Sequence, residues 1–86
     1  MRVGIYSLQK VLFQGEAESV NCKTAAGEIT ILDNHRPMLG MLESGVMKVV
    51  DKMEKEHYIQ VAGGFLEVKD NNESRFIVDL PAKAEV

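Results

Sequence analysis

Apolar side chains fall on every second residue of Val3-Gly4-Ile5-Tyr6-Ser7-Leu8. A period of two places alternate side chains on opposite sides of an extended chain. Comparable runs follow at Lys10 to Phe13, Ser19 to Lys23, Glu28 to Leu32, Pro37 to Leu42, Val46 to Met53, His57 to Val61, Phe65 to Lys69 and Ser74 to Val78. Between them lie Gly15, Ala26-Gly27, Asp33-Asn34, Ser44-Gly45, Gly63-Gly64 and Asp70-Asn71-Asn72. These residues tolerate positive φ or hydrogen-bond their own backbone, so they mark turns. The pattern predicts an all-β fold, a two-layer antiparallel β-sandwich of about ten short strands. Val46 to Met53 and Glu54 to Val61 flank the polar group Lys52 to Glu56 and read as a hairpin. Met38-Leu39-Gly40-Met41-Leu42 suits a buried strand or half a helix, and Pro37 with Gly40 decides for a strand.

Length and charge narrow the function. Residues 1–86 make one domain, because a chain of this size hides only about 60–65% of its unfolded surface and cannot support a second core. The net charge is −3, and Lys48, Lys52 and Lys55 alternate with Asp51, Glu54 and Glu56. Nucleic-acid binding needs a dense basic face, and none is encoded. No run approaches the ~18 apolar residues of a membrane span, so membrane association is expected only through a partner. Cys22 is the one cysteine, which suits a reducing compartment and a buried thiol.

Catalysis finds little to use. Cys22, His35 and His57 would have to form a thiol–imidazole pair oriented by Asp33, but no motif brings them together. Two isolated histidines do not make a zinc site. Gly63-Gly64 leads into a strand rather than a helix N-terminus, so a phosphate cradle is not predicted. The expectation is a protein without cofactor, metal or bound nucleotide.

Three segments carry a resemblance. Gly27-Glu28-Ile29-Thr30-Ile31-Leu32-Asp33-Asn34-His35-Arg36-Pro37 is a turn, a strand and a corner with His two residues before Pro. Tyr58-Ile59-Gln60-Val61-Ala62-Gly63-Gly64-Phe65-Leu66-Glu67-Val68 is a glycine-pair strand junction, and Val11-Leu12-Phe13-Gln14-Gly15-Glu16 precedes the second long strand. In order and spacing these resemble the epsilon-subunit family of rotary ATP synthases, over Val3 to Ala84. That family continues into a C-terminal helical hairpin, which this sequence lacks; Pro81 to Val86 is where such an element would attach.

The resemblance implies a non-catalytic central-stalk subunit that joins the gamma subunit to the c-ring, with membrane contact only through that ring. It also implies a peripheral position on the cytoplasmic face of an energy-coupling membrane, the bacterial inner membrane. Family positions facing gamma match Ser7, His35, Gly40, Ala62 and Glu67, with Met38 and Met41 beside them. Glu28 matches the ring-facing turn, and Gly63 and Gly64 match structural turn glycines. Arg36 stands where the family often has a small residue, and Ala62 where a small hydroxyl residue is common. The alternatives are a stand-alone β-sandwich interaction module and, behind it, a hydrolase.

Overall fold

The computed structural model describes residues 1–81. It contains eight strands: β1 (Arg2–Tyr6), β2 (Val11–Thr24), β3 (Gly27–Leu32), β4 (Met38–Leu42), β5 (Gly45–Asp51), β6 (Glu56–Val61), β7 (Gly63–Lys69) and β8 (Glu73–Asp79). The described residues contain no helix. The tail from Ala82 to Val86, where a second element would attach, lies outside them.

The fold is the all-β sandwich that the alternation predicts, with two differences. The runs Lys10 to Phe13 and Ser19 to Lys23 are one continuous strand of 14 residues, β2, and Gly15 lies inside it. Eight strands therefore replace the expected ten or so. In addition, β1 and β8 are parallel, with Arg2 opposite Glu73 and Tyr6 opposite Ile77. Every other pairing is antiparallel.

β2 makes the sandwich. Its first half pairs β1, ending with Glu16 opposite Arg2. Its second half lies between β3 and β5. The register against β5 shifts between Ala17 and Ser19, and a bulge of this kind bends a strand and raises its twist. The sheet order is β1-β8-β7-β4-β2-β5-β6, with β3 and β1 also on β2. The first five strands of that path close into a ring, sealed by Thr24 opposite Leu42 and by the β1–β2 ladder.

The first layer is thus β4, β7, β8, β1 and the start of β2; the second is the rest of β2 with β3, β5 and β6. Between them lies one core containing Val3, Ile5, Val20, Cys22, Ile31, Met47, Val49, Leu66, Phe76 and Val78. Each comes from the inward parity of its strand. Two buried hydroxyls are satisfied: Thr24 Oγ1 donates to Gly27 O (2.8 Å), and Ser74 Oγ donates to Met1 Sδ (3.7 Å). Among the described residues no buried side-chain nitrogen or oxygen lacks a partner.

Polar links fix the corners. Asp33 accepts a hydrogen bond from the Met1 amino group and lies 3.6 Å from Lys52 Nζ. The Met1 bond, followed by the attraction of that ammonium and of Lys52, holds the Asp33 carboxyl below its ordinary value. The Asn34 N–H donates to Asn72 Oδ1 (2.7 Å), tying the β3–β4 loop to the β7–β8 turn. At the tip of the β5–β6 hairpin, Asp51 Oδ1 accepts from the N–H groups of Met53 (2.8 Å) and Lys55 (3.0 Å), and Oδ2 meets His57 Nε2 (2.9 Å).

Candidate protein-docking site

The two outer faces of the sandwich differ. On the second layer the exposed side chains are mostly polar and bond one another. The Asn21 amide donates to Thr30 Oγ1 (2.9 Å), the Tyr58 hydroxyl donates to Glu56 Oε1 (2.6 Å), and Lys48 pairs with Glu56 (3.5 Å). Its exposed apolar residues are isolated by register: Leu32 opposes Ser19, Tyr58 opposes Lys48, and Val46 opposes Gln60.

On the first layer, register assembles three rows of outward side chains. Met41, Phe65, Ile77, Tyr6 and Val11 are successive cross-strand partners on β4, β7, β8, β1 and β2. At about 4.8 Å per strand this apolar row runs about 19 Å across the sheet. Phe65 is 60% exposed and Met41 55%. The next row, one pleat away, is Leu39, Glu67, Arg75, Gly4 and Gln14; the third is Lys69, Glu73, Arg2 and Glu16. Leu39 is 79% exposed. A contiguous apolar row flanked by a charged one is what a protein-docking surface requires; exposed apolar residues standing singly are ordinary.

Two depressions shape this face. A groove of about 500 Å³ is lined by Leu39, Met41, Phe65, Glu67, Arg75 and Ile77. Beside it, a polar recess of about 330 Å³ opens over Gly4, with Arg2, Gln14, Glu73 and Arg75 around it. Tyr6 folds back over Gly4 so closely that a Cβ there would lie 2.3 Å from its hydroxyl oxygen. Arg75 borders both depressions.

Most of the sequence-predicted residues surround this face. Glu67 sits in its middle row. Ser7 follows Tyr6 and Ala62 precedes β7, so both flank the apolar row; the Ala62 N–H donates to Asp79 O (2.7 Å). His35 lies at the other end of the layer, in the loop tied to the β7–β8 turn, with its Nδ1 2.8 Å from Arg36 O. Met38 and Gly40 are on the inward parity of β4: Met38 packs against the core, so the outward methionine is Met41. Glu28 stands apart, exposed on the β2–β3 hairpin opposite Lys23. The hairpin turn is fastened to β4, since the Ala25 N–H donates to Met41 O (3.0 Å).

Gly63 and Gly64 open β7 at φ 136° and 147°. A Cβ on Gly64 would lie 2.2 Å from Ile77 O and 2.8 Å from Val78 Cα, which only glycine avoids.

Sequence reading missed Phe65, Ile77, Arg75, Tyr6 and Val11. Their signal is broken alternation. Phe76-Ile77-Val78 and Met38 to Leu42 are apolar on both parities, where a half-solvated strand would alternate.

The residues weighed for catalysis do not meet. Cys22 is fully buried, and burial pushes its thiol up to about 11, so it carries no thiolate at neutral pH. His57 bonds Asp51 and stacks edge-on against Phe13 (5.1 Å between centroids), while His35 bonds its neighbour's carbonyl. No group of three or more His, Cys, Asp or Glu among the described residues could hold a metal ion. None of the described residues forms a helix long and apolar enough to cross a membrane.

A β-sandwich with one closed, apolar-striped layer defines a candidate protein-docking domain. Comparison with known proteins gives its family: residues 1–78 match the beta-sandwich domain of the ATP synthase delta/epsilon chain, and the chain belongs to that family. It is 40% identical over 74 residues to the ATP synthase epsilon chain of Leptospira borgpetersenii, covering 86% of this chain and 58% of that one. To the ATP synthase epsilon chain of Bordetella parapertussis it is 39% identical over 69 residues, 80% of this chain and 49% of the other. The chain thus spans about half to three fifths of the length of these relatives. Two solved assemblies contain chains of similar fold. One is the Euglena gracilis mitochondrial ATP synthase (TM-score 0.82, 19% identity, 88% of this chain and 48% of that one). The other is the central stalk and c-ring of the Tetrahymena thermophila enzyme (TM-score 0.77, 18% identity, 92% and 63%).

Proposed function

We propose that this chain is a non-catalytic rotor subunit of a proton-translocating ATP synthase, joining the gamma subunit to the c-ring so that ion flow is coupled to ATP synthesis. The observation that carries the reading is the outward apolar row Met41-Phe65-Ile77-Tyr6-Val11, exposed at all but the half-buried Tyr6, on a domain of the epsilon family. Gamma takes that face, with Glu67 within it and Ser7, Ala62 and His35 at its margins. Gly40 and Met38 act from beneath, by setting the shape of β4. Glu28, on its separate hairpin, meets the c-ring.

The geometry suits a linker. The surface is 5537 Å², and two standard interfaces would each take about 800 Å², leaving most of it solvated. A layer stiffened by ladders on both sides transmits torque without a hinge. The chain needs no cofactor or nucleotide for this role. It reaches the membrane through the c-ring alone, at the cytoplasmic face of a bacterial inner membrane.

The test is binding to the purified gamma subunit. Micromolar or tighter affinity, weakened by Phe65→Asp, Glu67→Lys or His35→Ala, is expected. A well-folded chain that does not bind gamma would refute the proposal. Glu28→Lys should leave gamma affinity intact and weaken capture of the gamma complex by isolated c-rings; unchanged capture would remove Glu28 from the ring contact.

A further inference from the structure

An apolar row anchors a partner but does not say which way round the partner sits, because hydrophobic contact is non-directional. Orientation has to come from polar groups next to the row, and the middle row supplies one pair. Glu67 on β7 is directly opposite Arg75 on β8. Glu67 has the exposed Leu39 on its other side, and Arg75 has Gly4 and the polar recess. Arg75 is exposed and makes no ion pair within 4 Å among the described residues, nor does Glu67. The other charge pairs have different settings. Lys48–Glu56 lies on the opposite face, while Lys52–Asp33 and His57–Asp51 brace loops.

The recess gives the pair its polarity. Arg75 borders it on one side, together with Arg2, Gln14, Glu16, Glu73 and the Tyr6 phenol that fills the space over Gly4, and borders the groove on the other. A carboxylate can enter the recess and meet a planar fork of donors. Glu67 lines the apolar groove and a further depression beside Leu39 and Lys69, and it stands between Leu39 and Arg75, where a basic side chain can reach it from above.

We propose that Glu67 and Arg75 form an orientation-setting charge pair, with Arg75 accepting an acidic side chain and Glu67 a basic side chain of the protein seated on the apolar row. The inference rests on the rotor reading, which makes that protein the gamma subunit. It assigns Arg75 a specificity role and fixes the order of charges the partner must carry: base toward Leu39, acid toward Gly4. A partner shifted by one strand along the row would bring like charges together, which penalises the wrong register.

The experiment measures the affinity of purified gamma for the chain and four variants. These are Glu67→Arg, Arg75→Glu, the double exchange of both, and a control exchange Lys48→Glu with Glu56→Lys on the opposite face. The double exchange keeps the net charge and the cross-strand pair, so its urea midpoint should match that of the unmodified chain. Each single change and the double exchange are expected to weaken binding by about tenfold or more, and the control by less than about twofold. A double exchange that binds within about threefold of the unmodified chain would show that the pair acts only inside the sheet and overturn the proposal. Single changes without effect would overturn it as well. If the unmodified chain itself fails to bind gamma, the rotor reading falls, and this assignment with it.

Discussion

Replacing Gly64 by alanine should be among the most damaging single-methyl changes available in this protein. Its φ of 147° belongs to a region that non-glycine residues rarely adopt, at a strain of about 1–3 kcal/mol. The new Cβ would also stand 2.2 Å from Ile77 O, 2.8 Å from Val78 Cα and 3.1 Å from Ile77 C. These are backbone atoms of the paired strand β8 and cannot rotate away, so the ladder itself must move, at about 1–3 kcal/mol for overpacking. The total is about 2–6 kcal/mol, against about 4–13 kcal/mol for the whole fold at 86 residues. Gly27 provides the comparison: φ is 124° and nothing lies within 4 Å of its Cβ position. Gly27→Ala therefore adds strain without collision. Urea unfolding followed by far-ultraviolet circular dichroism, with equal m-values, should place Gly64→Ala about 1–3 kcal/mol below Gly27→Ala. Equal losses in the two variants would refute the argument that close approach of β7 to β8 is what requires glycine.

Glu54 has φ 64° at the tip of the β5–β6 hairpin, so Glu54→Gly should raise stability by about 0.5–1 kcal/mol, read from the urea midpoint. Asp51 is held below its ordinary value first by the His57 hydrogen bond, then by the Lys55 and Met53 amides. A depressed folded-state value contributes stability above the unfolded pKa of about 3.9 and loses it as pH falls through the folded value. Asp51→Asn should therefore flatten part of the acid limb of a stability–pH curve; an unchanged limb would contradict the assignment. Cys22 should resist thiol reagents in the native chain at pH 8 and react fully in denaturant, and fast native labelling would show that the core opens. Phe76→Ala, at a fully buried site between the layers, should cost about 3–5 kcal/mol by chemical denaturation.

The strands were legible because their inward positions are apolar at period two. Val20 and Cys22 on β2, or Leu66 and Val68 on β7, declare a face before any coordinate is known. Gly15 misled because glycine usually punctuates; here β2 passes through it and bends at the Ala17–Ser19 bulge instead. Of the candidate docking face, only Met41, Glu67 and its marginal neighbours could be reached, and only through family resemblance. Met41, Phe65, Ile77, Tyr6 and Val11 lie far apart in sequence, and they become a row through register. One step of that row, from Ile77 to Tyr6, depends on a parallel pairing that no local pattern announces.

That parallel pairing has a consequence for biosynthesis. Arg2 meets Glu73, so β1, which can pair β2 early, waits for β8, the last of the described strands, before its parallel ladder can form. Until then the chain carries only fragments of the apolar row, Met41 with Phe65 on one side and Tyr6 with Val11 on the other. Ile77 joins the fragments. Under the proposed rotor role, an unfinished or misfolded chain would offer its partner an interrupted surface, and assembly would select, with no separate inspector, the molecules whose folding has run to completion.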